Sequence, residues 1–211
     1  GMIVQMRLRS VFNKYSNVWI SNGMTGAEIA AKMLRDHNIH NVKITQVDGE
    51  LTDHYNPATL TVNLSRSVYN SRSIAAAAVA CHECGHAIQH AYGYAPLQMR
   101  SALVPIVSFA SNIVQWVLLA GVIFFYTFPG LLWIGIALFA MTTLFSFITL
   151  PVEINASVRA ISWLEGAGVT DCQTRPMAID ALKWAAYTYV IAALGSLATL
   201  LYYLNMARSR D

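Results

Sequence analysis

The sequence predicts an α+β membrane protein, a small domain of helices and a short sheet joined to about three transmembrane helices. Three observations predict it. The 211 residues are 55% hydrophobic and only 12% charged, about half the charged fraction of an ordinary soluble domain. The apolar residues gather into two uncharged blocks, 101–152 and 185–207. Nine of the fourteen Lys and Arg residues fall in the first hundred positions. A spanning helix needs about 20 mostly apolar residues, and a soluble chain of this length could not enclose such blocks in its own core.

The first block is long enough for two spans, Val104 to Phe125 and Leu131 to Leu150, with the Pro-Gly of "YTFPG" turning between them. A third runs from Ala185 to Leu204, with Tyr187, Tyr189, Tyr202 and Tyr203 near its ends, as interfacial aromatics stand. Residues 1–100 then form the polar domain, 101–152 two transmembrane helices, 153–183 a smaller polar segment, and 184–211 a third span with a short tail. "GMIVQM" before "RLR" has no signal-peptide pattern and reads as the stub of a further span. A net charge of +3 with no basic and aromatic interleaving argues against a nucleic-acid partner. Three cysteines, Cys81, Cys84 and Cys172, imply a reducing compartment and no disulfide framework.

Within the first hundred residues, Thr25 and Glu28 have capping-box spacing, and Ile29, Met33 and Leu34 share one face of a helix ending near Asn38. "NVKITQV" reads as a strand. "ATLTVNL" reads as another, with Ala58, Leu60, Val62 and Leu64 on its buried face. Ser73 can cap a helix that the alanine-rich run from Ile74 propagates to about Ala91, where "YGYAP" breaks it.

That helix carries "ACHECGHA", which spells both H-E-x-x-H and C-x-x-C. Residues i and i+4 share a helix face, so His82 and His86 can present two imidazoles to one zinc ion, with Glu83 on the adjoining flank as the base that takes a proton from water. At about 100° per residue, Cys81 and Cys84 point the other way. A redox pair needs a helix N-terminus to lower its thiol pKa, and this helix begins two turns earlier, so the cysteines read as small core residues.

A hydrolytic zinc needs a third protein ligand and an open position. Gln89 and Tyr92 stand where a metzincin has its Gly and third His, and His90 is too far along the helix. Among the downstream acids Glu165, Asp171, Asp180, Asp211 and Glu153, the last stands out. It follows Pro151 at the end of the uncharged block, where a lone carboxylate is costly unless paired, liganded or wet.

With "HECGHA" and "PVEINASVRA" in hand, the chain resembles the neutral zinc metallopeptidases of the YugP type, a family of bacterial membrane proteins. The likeness runs nearly end to end through "GMTGAEIA", "LTDHYNP", "NLSRSVY", "HECGHAIQHAYGYAPLQMRSALVP", "LPVEINAS" and "AAYTYVIAAL". The resemblance implies a zincin-like, gluzincin-type catalytic domain that hydrolyses peptide or protein substrates with Zn2+. His82, His86 and Glu153 would be its ligands and Glu83 its acid/base. It also implies residues supporting the ligands at Ser157, where related peptidases carry Asp, and at nearby Asn155. Asp53 and His54 in "TDHYNP" are open to two readings: His54 polarising the scissile carbonyl beside an active-site strand, or the pair capping a turn. Substrate would lie along "ATLTVNL" if that strand is an edge.

An intramembrane site-2 type of protease needs its H-E-x-x-H inside a span, and the run after Arg72 is too short for that. Two rival classes are an inactive zinc-binding membrane adaptor and a C-x-x-C thiol redox protein. The positive-inside rule places the site in the cytoplasm of a multi-pass bacterial membrane protein, because both flanks of the helix pair carry Lys and Arg and its loop carries none. The tail "RSRD" runs against that rule.

Overall fold

The computed structural model describes residues 1–209; Arg210 and Asp211 of the tail lie outside them. The chain divides into two compact units: residues 1–94 with 152–188, and 95–151 with the remainder from Tyr189.

The first unit opens with α1 (Met2–Tyr15), α2 (Gly26–Asp36), β1 (Lys43–Val47), β2 (His54–Asn56), β3 (Thr61–Ser65), α3 (Arg66–Tyr69) and α4 (Ile74–Ala91). The second unit's helices are α5 (Ala95–Ile123), α6 (Pro129–Gly166) and α7 (Arg175–Arg208), and the later part of α6 and the earlier part of α7 belong to the first unit.

Local chemistry sets several boundaries. Thr25 forms the expected capping box: its hydroxyl accepts from Glu28 N while Glu28 accepts from Thr25 N at 2.7 Å. Ser73 caps α4 by accepting from Ala76 N. The alanines that follow are buried and too small to hold neighbours away, so α2, the sheet and α6 close on α4 from different sides. Ile29, Met33, Val62, Leu64, Val68, Ile88 and Leu164 complete that core.

The sheet order is β1-β3-β2, with β1 parallel and β2 antiparallel to β3. This corrects the strand expectation in two ways. "ATLTVNL" is a turn through Leu60, which has φ of +52°, and pairs only from Thr61. That strand is central, with β1 and β2 at the two edges. Val62 and Leu64 do face the core.

In the second unit, α5, α6 and α7 are each long and apolar enough to cross a membrane. They are longer than the spans read from hydropathy. α6 continues through Pro151, which removes one helical hydrogen bond without ending the helix. The polar segment expected at 153–183 is therefore the end of α6 as far as Gly166, a short turn, and the start of α7 from Arg175. Val114, Leu118, Leu132 and Ile136 pack α5 on α6.

One glycine decides how close α4 and α6 come within the first unit. A Cβ at Gly85 would stand 2.7 Å from Ala156 O and 3.0 Å from its Cα, both backbone atoms that cannot swing aside. Gly85→Ala is expected to cost about 1–3 kcal/mol, read as a lower unfolding midpoint for the detergent-solubilised protein; an unchanged midpoint contradicts the contact.

Candidate metal centre

His82 and His86 project from one face of α4, their rings edge to face with centroids 4.8 Å apart. Glu153 comes from α6 and is 2% exposed. Its Oε2 lies 3.2 Å from His82 Nε2 and 3.6 Å from His86 Nε2. Metal bonds of about 2.1 Å in a tetrahedral set place donor atoms about 3.4 Å apart. Two imidazole nitrogens and one carboxylate oxygen at this spacing fit a divalent metal ion, and the three residues stand out as a group able to hold one.

The remaining ring nitrogens point into the protein. His82 Nδ1 lies 3.1 Å from Ser157 Oγ, and His86 Nδ1 lies 3.0 Å from the amide oxygen of Gln89. Both leave Nε2 facing the metal position. Asn155 does not touch a histidine; its Oδ1 accepts from Gln89 Nε2 and from Arg159 Nε. In the sequence Gln89 serves only to exclude the metzincin pattern. Its i+3 spacing from His86 was the available signal.

Glu83 is 8% exposed and makes no hydrogen bond among the described residues. Burial pushes its carboxyl above the usual range, partly offset by His82 and His86. Burial alone would lower the His86 pKa, but the contact with Glu153 and the charge of Glu83 raise it overall.

The structure does not bring His54 to this group. Across the β2–β3 pairing His54 stands opposite Asn63, and Tyr55 opposite Val62. Val62 faces the core that includes α4, so His54 projects from the other face of the sheet, where Asn63 and the Thr52 carbonyl lie within hydrogen-bond distance of its ring. Tyr55 takes the α4 side, its hydroxyl 2.8 Å from His90 Nδ1. Asp53 accepts from the amide and hydroxyl of buried Ser65, tying the start of β2 to the end of β3. Cys81 and Cys84 are fully buried, with Cys84 Sγ donating to Ala30 O. Burial pushes both thiols up, the reverse of what a redox pair needs.

The model of one protein family, described as "putative neutral zinc metallopeptidase", matches residues 1–208. The chain is also 42% identical over 197 residues, 93% of its length and 87% of the relative's, to the "putative membrane protease YugP" of Bacillus subtilis (strain 168). No solved structure matches it significantly. A match over nearly the whole chain, to a family named for zinc peptidase chemistry and meeting a two-histidine, one-carboxylate group, shows that this chain belongs to the neutral zinc metallopeptidase family.

Proposed function

We propose that the chain is a membrane-anchored, zinc-dependent metalloendopeptidase whose site faces the cytoplasm. The observation that carries the reading is Glu83: a buried carboxylate with no hydrogen bond to spend, beside three converging metal-ligating atoms. A structural carboxylate at this depth would be paired or hydrogen-bonded. One left uncommitted suits a group that exchanges protons with water and substrate.

His82, His86 and Glu153 would hold the ion, leaving a fourth position open. Zinc bound there supplies Lewis acidity toward water and a peptide carbonyl. Glu83 takes the proton from the attacking water and delivers it to the departing amine, and its raised pKa suits both halves of that exchange. Because β3 is paired on both sides, an extended substrate is placed on the free edge of β2, held by main-chain pairing. Tyr55, hydrogen-bonded to His90 of α4, lies on the helix side of that edge.

The cytoplasmic side is favoured by charge. Lys and Arg recur in the stretches before α5 and after Pro151, while the α5–α6 loop, 124–128, has none.

Glu153→Ala is expected to lose zinc from the purified protein. Glu83→Gln is expected to keep about one zinc per chain while hydrolysis of a denatured protein falls on the order of 10²–10⁴-fold. Full metal content and activity in Glu153→Ala would remove Glu153 from the ligand set, and zinc without hydrolysis in the unaltered protein would favour the adaptor reading. For sidedness, Cys172 is exposed while Cys81 and Cys84 are buried. A membrane-impermeant maleimide should label Cys172 in lysed cells only; labelling in intact cells overturns the cytoplasmic assignment.

A further inference from the structure

We infer that Gln89 is a positioning residue through which the backbone of α6 selects the tautomer of His86, so that its Nε2 lone pair is presented to the metal. The inference rests on the metal-site reading above and adds a determinant to it.

Gln89 is completely buried, and both ends of its amide are used. Its Nε2 lies 2.8 Å from Val152 O and 3.0 Å from Asn155 Oδ1, and its Oε1 lies 3.0 Å from His86 Nδ1. The Val152 carbonyl can only accept, so it requires the NH2 end of the amide. Asn155 Oδ1, which also accepts from Arg159 Nε, requires the same. Reversing the amide would set oxygen against oxygen at Val152, where both residues are fully buried. The Gln89 oxygen must therefore face His86, and an oxygen there accepts only from a protonated Nδ1. The proton is thereby assigned to Nδ1, so Nε2, on the side of Glu153 Oε2, is the nitrogen whose lone pair a bound metal would take.

The residue before Glu153 thus orients the ring beside it. The peptide unit that leads into one metal ligand governs another, so the two helices cannot shift without disturbing both. The outer partners of the two imidazoles, Gln89 and Ser157, are both uncharged. That leaves Glu153 as the anionic member of the ligand set, where a carboxylate behind a histidine would have added further negative charge.

The test uses the full chain in detergent, with zinc as the probe. Gln89→Met keeps the volume but neither donates nor accepts in this way, while Gln89→Glu restores an acceptor for His86 and loses both donors. Both variants should be less stable. Zinc affinity should fall about 10- to 100-fold in Gln89→Met and stay at or above that of the unaltered chain in Gln89→Glu. Equal losses in the two variants, or none in Gln89→Met, overturn the inference and leave the metal site standing. Absence of zinc binding in the unaltered chain overturns both. If Gln89→Met does not fold, 15N spectra of the zinc-loaded unaltered protein decide: a proton on His86 Nδ1 with metal on Nε2 supports the assignment, and metal on Nδ1 overturns it.

Discussion

The group of His82, His86 and Glu153 that could hold a metal ion depends on how closely α4 and α6 approach at Gly85 and Ala156. Ordinary helix pairs stand 8–10 Å apart, at a distance set by the side chains between them. Here the contact is glycine against backbone, which removes one layer of side chain. His82 and His86 flank the glycine on α4, while Glu153 and Ser157 flank the alanine on α6, so the contact that packs the helices also sets the reach of the ligands. A glutamate can then meet two imidazoles and remain 2% exposed. The Gln89 amide spans the same seam a turn further along.

Around that seam, polar side chains are hydrogen-bonded to one another within and between α4 and α6. Ser157 serves His82, Gln89 serves His86, Val152 O and Asn155 serve Gln89, and Arg159 serves Asn155. Each link crosses between α4 and α6 or runs one turn along one of them. Networks of this kind gain rigidity from being complete and lose it when one member is removed. The second shared boundary of α4, with the sheet, is apolar through Val62 and Leu64 and becomes polar only at the β2 edge, where Tyr55 meets His90.

Much of this was legible because its signals are local. The Thr25–Glu28 box, the Ser73 cap, the two histidines one turn apart and the core placement of Cys81 and Cys84 all follow from spacing along one helix. Glu153 could be singled out because a carboxylate ending an uncharged block is expensive anywhere else. What escaped was non-local. β2 is three residues with no alternation to read, and it exists only because β3 offers an edge. Its late appearance moved "ATLTVNL" from edge to centre and turned His54 to the outer face of the sheet. Pro151 looked like a helix end and is not one. Gln89 is legible as an exclusion and, by its spacing from His86, as a local partner, but not as a bridge to α6, since Val152 and Asn155 lie more than sixty residues away.

Glu83 leaves the fold with a conflict it does not resolve. A carboxyl group is only 8% exposed and makes no hydrogen bond among the described residues, which disfavours its charged form whatever it does for chemistry. Positions of this kind are where function and robustness pull apart, so selection for durability alone would replace Glu83 before it touched the alanines of α4. Those alanines lie within the buried core that encloses α4, whereas Glu83 stands at its edge beside the histidines.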